Sequence, residues 1–310
     1  MSVMTRLARR FSKPHFLFRP QQILRRLAWV VRGPGESQYA TLPLPWGVPI
    51  RCRLSDAIGG AIARIGVFEL VVTEALWRLA DPGELTVDAG ANIGYMTSVL
   101  AARVGASGRV ISFEPHPEVF AELRANTDAW SRISRLAPVD ARQVALSDTS
   151  GELELVVGED FADNHGVATL ASSAPDGAPR GEQGRRWPVR VTTLDEVLGP
   201  DARVGVLKVD VEGHERKLFE GARRVLSGRH IRDIVFEAHD GYPSPVTDLL
   251  EGHGYRVFAL VQSLLRPRAL PPADATELRP PWEAANCLAT LDPERAVARL
   301  RRFGWQTLLA

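Results

Sequence analysis

The stretch LTVDAGANIGYMTSVLAARV, residues 85–104, decides which fold class the sequence predicts. It begins with a short apolar run that ends in Asp-x-Gly, and apolar residues then recur on one face of a helix. Gly90 and Gly94, between the two halves, are typical of a tight strand-to-helix turn at which a ligand can approach the backbone closely. The stretch therefore predicts a β-strand, a ligand-binding turn and an α-helix.

Strands and helices continue to alternate along the chain. Apolar runs predict strands at 109–115, 144–148, 204–210, 231–239, 255–260 and 284–290, and an edge strand at 151–157. Two regions rich in glycine, proline and polar residues predict long loops at 158–188 and 263–283. Such alternation predicts an α/β fold with a doubly wound, mostly parallel sheet. Because ligands of these sheets bind at the carboxyl ends of the strands, we expect the site there.

The composition is that of an ordinary globular protein. The 310 residues are 45% hydrophobic and 24% charged, which excludes a disordered chain, a coiled coil and a collagen-like chain. Two cysteines, Cys52 and Cys287, are too few for a disulfide scaffold or a structural zinc cluster. No uncharged apolar run reaches the roughly 18 residues of a transmembrane helix, and the N-terminus lacks the apolar core of a secretory signal. We therefore predict a cytoplasmic protein.

Residues 1–40 differ in charge from the rest of the chain. They hold eight Lys and Arg residues and one acid, a net charge of +7, whereas the remainder carries −6 and does not favour a nucleic-acid partner. We predict a basic extension at 1–60 and a single α/β domain at 61–310. Apolar residues at helical spacing favour a surface helix packed on the body. The alternative is peripheral contact of residues 1–40 with an anionic membrane or another partner.

Two carboxylates at neighbouring strand ends indicate the ligand. The turn has the pattern D-x-G-x-x-x-G instead of the dinucleotide fingerprint G-x-G-x-x-G, and Asp88 at the strand end would repel a pyrophosphate. Glu114 ends the next strand, twenty residues after Gly94, where a nucleoside site places the acid that accepts hydrogen bonds from ribose hydroxyls. Alternatively, Asp88 is a helix N-cap and Glu114 a surface acid. Together the two acids favour a cationic nucleoside without phosphates, for which S-adenosylmethionine is the candidate.

A second group of polar residues follows two later strands. Asp210 and Glu237 end strands that would be neighbours, and His214 and His239 lie close to them in sequence. Methyl transfer needs a base that removes the proton of the attacking hydroxyl, and these four side chains are the candidates. A less favoured alternative is a Mg²⁺ or Mn²⁺ site formed by Asp210, Glu237 and His239. The acids at 212 and 215 also suit the first turn of a helix, where they offset the helix dipole.

The order of these motifs resembles a known family, the FkbM-type methyltransferases, over about residues 69–260. The segments that carry the resemblance are DAGANIGYMTSVLA (88–101), ISFEPHPEVFAELRAN (111–126), VALSDTSGELEL (144–155), TTLDEV (192–197) and VLKVDVEGHERKLFEGA (206–222). The resemblance implies a Rossmann-like class I methyltransferase fold with a seven-stranded sheet whose last strand is antiparallel. It also implies O-methylation of a hydroxyl on a carbohydrate or secondary metabolite.

The resemblance also implies roles for individual residues. It assigns the methionine part of the cofactor to Asp88, Gly90, Asn92 and Gly94. It assigns the ribose to Glu114, the border of the adenine to Ala145, and the neighbourhood of the cofactor amine to Glu69, for which a solvated helix residue is an equal alternative. The loop at 158–188, with Asn164 and His165, is a candidate substrate lid.

Two other functions remain as alternatives at this stage. The basic extension fits a cofactor-binding subunit of a larger assembly that has lost catalysis, although Asp210 and Glu237 argue against this. A nicotinamide-dependent dehydrogenase is the third hypothesis, and the missing G-x-G-x-x-G motif and Asp88 count against it. The favoured prediction is a methyltransferase that uses S-adenosylmethionine, acts on a small-molecule or carbohydrate acceptor and does not depend on a metal.

Overall fold

A computed structural model describes residues 14–23, 26–27, 39–157, 168–170, 185–275 and 285–310. The strands of these residues are β1 (Tyr39–Pro43), β2 (Pro49–Arg53), β3 (Leu85–Ala89), β4 (Arg109–Phe113), β5 (Val139–Arg142), β6 (Ala145–Leu146), β7 (Gly151–Val157), β8 (Ala168–Leu170), β9 (Arg185–Thr192), β10 (Val204–Val209), β11 (Ile231–Ala238), β12 (Arg256–Gln262), β13 (Pro267–Leu270) and β14 (Ala285–Thr290). The helices are α1 (Pro14–Phe18), α2 (Ala57–Ile65), α3 (Leu70–Leu79), α4 (Tyr95–Val104), α5 (Pro117–Trp130), α6 (Leu194–Val197), α7 (Glu215–Glu220), α8 (Arg223–Ser227), α9 (Pro245–Gly252), α10 (Pro272–Ala275), α11 (Pro293–Leu300) and α12 (Gln306–Leu309).

The central sheet has the strand order β13-β12-β14-β11-β10-β3-β4-β5. Five neighbouring strands, from β11 to β5, run parallel to one another. The last strand, β14, lies between β11 and β12 and is antiparallel to both. The prediction of a Rossmann-like, mostly parallel sheet whose last strand is antiparallel is therefore confirmed.

Among the residues that the structure describes, the central sheet has eight strands, not the predicted seven. The additional strand, β13, pairs antiparallel with β12 and lies in the proline-rich region that was expected to be a loop. β13 begins at Pro267, and a proline is tolerated there because an edge strand leaves one row of N–H groups without a partner in the sheet. The proline content therefore concealed an edge strand.

The third strand of the parallel sheet also differs from the prediction. β5 pairs with β4, whereas the stretch expected to be the third strand contributes only β6, in a separate sheet with the order β6-β9-β7-β8. β5 escaped detection because its sequence, VDAR, is short, alternates apolar and charged residues, and is half-buried at the edge. The predicted loop at 158–188 contains the strand β8 and the first residues of β9. The lid residues Asn164 and His165 lie outside the described residues.

Helices cover both faces of the sheet, and each face has its own apolar core. One core contains α3, α4 and α11, and the other contains α7, α8 and α9. Val206 belongs to the first core and Leu207 to the second, because successive side chains of a strand point to opposite faces. This arrangement leaves the carboxyl ends of the parallel strands as the place where a ligand can enter.

The segment before α2 belongs to the first of these two cores, the one that contains α3, α4 and α11. Trp130 Nε1 donates to the Pro49 carbonyl at 2.6 Å, and the Asn126 amide bonds both the N–H and the carbonyl of Arg51. The predicted boundary between residues 60 and 61 falls inside α2, so the division into an extension and a domain stays a prediction. Within the described residues, no helix is both long and apolar enough to cross a bilayer.

Candidate functional site

A cavity of about 340 Å³ lies at the carboxyl ends of the parallel strands. It is bounded by the turn after β3, the ends of β4, β10 and β11, the starts of α2 and α3, and three strands of the second sheet. Eight of the predicted site residues line it, namely Glu69, Gly90, Asn92, Glu114, Ala145, Asp210, Glu237 and His239. The structure therefore brings together residues that are up to 170 positions apart in sequence.

The turn after β3 can accept only glycine at position 90. Gly90 has a φ of +76°, and a Cβ atom placed on it would lie 1.7 Å from the Asp210 carbonyl oxygen. The N–H groups of Gly90 and Ala91 both donate to the Phe113 carbonyl, at 3.0 and 2.8 Å. The turn is therefore held between the ends of β10 and β4, and its backbone forms part of the cavity wall.

Glu114 is a buried carboxylate that the backbone holds in one orientation. Its Oε2 accepts from the N–H of Asn92 at 3.0 Å and its Oε1 accepts from the N–H of His116 at 2.9 Å. Burial raises the pKa of the Glu114 carboxyl to about 7, although these two backbone donors oppose the shift. Glu114 lines the cavity, so a ligand that donates hydrogen bonds can stabilise its ionised form.

Asp88 lies behind the turn and does not line the cavity. Its side chain is fully buried, and Thr97 Oγ1 donates to its Oδ2 at 2.6 Å. Lys208 Nζ lies 3.5 Å from Asp88 Oδ1 and 3.3 Å from Asp210 Oδ2, and it donates to the Gly90 carbonyl at 2.8 Å. Burial raises the pKa of Asp88 against the opposing charge of Lys208. Asp88 therefore anchors the lysine that holds the turn to the end of β10.

Gly94 also faces away from the cavity. It has a φ of +94°, and a Cβ atom there would lie 2.8 Å from Leu123 Cδ1 and 3.0 Å from Trp130 Cη2. The second glycine of the turn is thus required by the packing of α4 against α5 and not by contact with a ligand.

One end of the cavity is acidic. Asp210, Glu212 and Glu237 all line it, together with His239. The Nε2 atom of His239 lies 3.5 Å from Glu237 Oε2 and 3.7 Å from Glu215 Oε1. Burial, reinforced by the charges of Asp210 and Glu237, raises the pKa of Glu212 to about 7, and burial also raises the pKa of Glu237. Glu212 can therefore accept a proton near neutral pH.

His214 lies outside this cavity, contrary to its predicted place among the proton acceptors. It is buried, its Nε2 lies 2.9 Å from Ser147 Oγ, and burial lowers its pKa to about 4. The backbone between the acidic end and His214 changes direction, because Glu212 and Gly213 have φ values of 52° and 87°. Glu212 consequently faces the cavity and His214 faces β6.

The opposite end of the cavity has an apolar wall. It is formed by the second sheet, with Ala145 and Leu146 from β6, Leu155 from β7 and Leu170 from β8. Ala145, Leu155 and Leu170 belong to the apolar core of that sheet. The cavity therefore has an apolar end near Glu114 and an acidic end near Asp210.

Comparison with known proteins gives the family. Residues 88–257, more than half of the chain, match the Methyltransferase FkbM domain. The chain belongs to the FkbM methyltransferase family. The matched range contains every strand-end residue described above, from Asp88 in β3 to His239 after β11.

This FkbM-family chain is similar to two curated methyltransferases. It is 33% identical to 31-O-demethyl-FK506 methyltransferase FkbM of Streptomyces tacrolimicus over 209 residues, which cover 57% of this chain and 75% of that protein. It is 27% identical to hexuronic acid methyltransferase AglP of Haloferax volcanii over 223 residues, 65% of this chain and 81% of that protein. A crystal structure of methyltransferase FkbM from Methylobacillus flagellatus has a TM-score of 0.40 and 16% identity. That match covers 68% of this chain but only 44% of the crystallised one.

Three features of the FkbM-family site were missed from the sequence. Glu212 and Lys208 belong to the second polar group of the sequence, but neither was predicted to be a site residue, with a helix-dipole acid as the alternative for Glu212. The second sheet was not expected to reach the cavity. The K-x-D-x-E pattern at 208–212 was the available signal, because alternate residues after a strand often reach the same surface. No group of three or more His, Cys, Asp or Glu side chains in the described part of the chain is arranged to hold a metal ion.

Proposed function

We propose that the protein transfers a methyl group from S-adenosylmethionine to a hydroxyl oxygen of a small-molecule or carbohydrate acceptor. One observation carries the proposal. A single cavity has a backbone-held buried carboxylate, Glu114, and an apolar wall at one end, and a cluster of carboxylates at the other. This separation of an apolar end from an acidic end matches a nucleoside whose positive charge lies at the end away from its base.

The lining of the cavity fits the parts of S-adenosylmethionine in order. The apolar wall suits the faces of the adenine ring, and Glu114 can accept hydrogen bonds from the ribose hydroxyls. The backbone at Gly90 and the side chain of Asn92 suit the methionine part, and the Glu69 carboxylate suits its ammonium group. Asp88, as the anchor of Lys208, positions this wall without touching the ligand.

The acidic end supplies the base of the reaction. The cofactor, when bound, offers an electrophilic methyl group that leaves a neutral thioether behind after an oxygen has taken it. One of the two carboxylates Glu212 and Glu237 accepts the single proton of the attacking hydroxyl, and the pKa of about 7 at Glu212 is close to the value at which a general base works best. His239 orients Glu237, and Asp210 remains paired with Lys208. His214 is left out of this scheme because it lies beyond the cavity wall.

Similarity to the two curated relatives supports an oxygen acceptor. One of them is named for a 31-O-demethyl form of FK506 and the other for a hexuronic acid. Both are small molecules or carbohydrates. The presence of Asp210, Glu237 and His239 around one cavity favours an active enzyme over a catalytically silent cofactor-binding subunit.

Titration with S-adenosylmethionine at two pH values tests the cofactor. Because the pKa of Glu114 is raised to about 7 and binding requires its carboxylate form, binding releases a proton. The affinity should therefore rise about tenfold between pH 6 and pH 8, since the ionised fraction of a group with this pKa rises by that factor. Isothermal calorimetry measures the affinity, and repetition in buffers of different ionisation enthalpy counts the released protons.

Glu114→Gln keeps the size of the side chain and removes its ionisable carboxyl group. It should bind the cofactor roughly 10–100-fold more weakly at pH 8, as expected for the loss of charged hydrogen bonds, and lose most of the pH dependence. Glu118→Gln, an exposed acid in the first turn of α5, is the matched control and should bind like the wild type. A folded wild-type protein that does not bind S-adenosylmethionine, or Glu114→Gln with unchanged affinity, would refute the proposal.

A second titration tests the position of the transferable methyl group. Sinefungin carries an amine where S-adenosylmethionine carries that methyl, whereas S-adenosylhomocysteine has no group there. We expect sinefungin to bind about tenfold tighter, because its ammonium would meet the acidic end. Glu212→Gln and Glu237→Gln should reduce the ratio of the two dissociation constants, and Glu118→Gln should leave it unchanged. Equal binding of the two ligands would place the methyl group elsewhere.

A further inference from the structure

Exposed apolar side chains of the described residues gather on one face. Seven large apolar side chains are exposed, and all except Tyr242 lie on three segments: Leu17, Leu27, Leu264, Leu265, Phe303 and Leu309. Phe303 is 73% exposed and Leu309 is 66% exposed. We call this surface the docking face and define it by residues 14–23, 26–27, 263–268 and 301–310.

The segments of the docking face contact one another. The rings of Phe18 and Phe303 are 6.0 Å apart, which joins α1 to the C-terminal segment. The Gly304 N–H donates to the Leu265 carbonyl, and Trp305 Nε1 donates to the Leu264 carbonyl. These contacts bring the segments that carry Leu264, Leu265 and Phe303 together and place α1, which carries Leu17, beside them. Neighbouring exposed apolar side chains of this kind mark an interaction site.

The docking face is also purely basic. Its residues include six arginines and neither Asp nor Glu, the arginines being Arg19, Arg26, Arg266, Arg268, Arg301 and Arg302. Four of them, Arg266, Arg268, Arg301 and Arg302, are exposed. Residues 1–40, part of which lies on this face, carry a net charge of +7. A surface of this composition attracts an anionic partner.

We propose that the docking face binds an anionic membrane surface. Leucine and phenylalanine side chains would enter the interface between headgroups and acyl chains, and the arginines would contact the lipid phosphates. A second copy of the chain is a poorer partner, because two such faces would bring like charges together. The docking face thus has both features of a peripheral membrane site, exposed apolar side chains and exposed arginines.

The docking face lies close to the cavity. Trp305 and Leu308, in the C-terminal segment, pack against Val67 and Leu70. Glu69, between these two residues, lines the cavity. A membrane bound at the docking face would therefore lie on the far side of the wall that contains Glu69.

Vesicle co-sedimentation of the full chain tests the proposal. We expect binding to vesicles of phosphatidylcholine mixed with phosphatidylglycerol, little binding to phosphatidylcholine alone, and weaker binding at high salt. Arg301→Glu/Arg302→Glu should weaken binding about 25-fold or more, at about fivefold for each arginine removed. Phe303→Ser should also weaken it. The matched controls are Arg132→Glu/Arg223→Glu, two exposed arginines on other elements, and Tyr242→Ser, and both should bind like the wild type.

Thermal unfolding and S-adenosylhomocysteine binding show that each variant is folded, and neither measurement depends on lipid. Three results would overturn the proposal. The first is a wild type without preference for anionic vesicles. The second is a charge-reversal variant that binds as tightly as the wild type, which would show that the face takes no part. The third is a dimer in light scattering that Phe303→Ser dissociates, which would show that a second copy covers the patch.

Discussion

Lys208→Met is expected to lower the free energy of unfolding by about 3–5 kcal/mol, the usual cost of removing one partner from a buried ion pair. Lys208 is 4% exposed, and its ammonium group lies between the carboxylates of Asp88 and Asp210. Burial alone would lower its pKa, but these two charges raise the pKa above its usual value, so Lys208 is protonated. Methionine has a similar length but no charge, and it would leave the carboxylate of Asp88 buried without its cation.

Urea denaturation measures this change, and a double variant isolates its cause. Asp88→Asn/Lys208→Met removes both charges, so it should be more stable than Lys208→Met alone. Lys217→Met is the matched control, because Lys217 also pairs with a carboxylate, that of Asp148 at 2.7 Å, but at the exposed surface. It should change stability little. If the two lysine variants lose equal stability, the buried pair is not the reason.

Gly90→Ala is expected to lower the free energy of unfolding by a similar amount and also to abolish cofactor binding. An alanine Cβ would overlap the Asp210 carbonyl oxygen, 1.7 Å away, and that oxygen belongs to backbone that cannot swing aside. Backbone strain and overpacking together should cost roughly 3–5 kcal/mol. The turn would have to move away from the end of β10, and the cavity wall would move with it.

Gly241→Ala separates backbone strain from overlap. Gly241 has a φ of +75°, almost the value at Gly90, but a Cβ atom there would meet nothing within 4 Å. Gly241→Ala should lower the free energy of unfolding by only about 1 kcal/mol, the strain of a left-handed conformation. Calorimetric titration of S-adenosylmethionine should show wild-type affinity for Gly241→Ala and no binding for Gly90→Ala. Wild-type affinity in a folded Gly90→Ala protein would contradict the geometry of the turn.

Lys208→Met and Gly90→Ala both disturb the contact between the turn after β3 and the end of β10. The turn after β3 and the end of β10 are joined by the close approach of Gly90 to Asp210 and by Lys208, which bonds the Gly90 carbonyl. The turn and the acidic end are therefore positioned as one unit. In the proposed reaction this unit sets the distance between the cofactor and the base.

The position of Glu114 was predictable from the sequence, whereas the roles of Asp88 and His214 were not. Glu114 follows a strand directly, and the ends of adjacent parallel strands necessarily meet at one edge of the sheet. Asp88 is a strand residue, and only the neighbouring strand, with Lys208 directly beside it in register, shows that it faces a buried cation. The location of His214 outside the cavity could be predicted only from the direction of the backbone after Glu212. The positive φ angles of Glu212 and Gly213 determine that direction.

The second sheet and β13 were the least predictable parts of the fold. The stretch expected to be a third parallel strand became β6 because β5, a short strand of alternating apolar and charged residues, occupies the edge beside β4. Leu155 and Leu170 line the cavity only because β7 and β8 pair with each other, and residues outside the described structure separate them in sequence. Such pairing depends on contacts between distant residues, which local periodicity does not encode.

The sequence by itself determined the fold class, the family and the edge of the sheet that holds the site. Apolar periodicity, glycine positions and acids at strand ends are local properties, and each is visible within a few residues. Only the tertiary structure decided which of those acids face the cavity, which are buried against Lys208, and which apolar residues close the far wall. The direction of a side chain at the end of a strand depends on the neighbouring strand and on the backbone angles after it, and both are set when the whole sheet assembles.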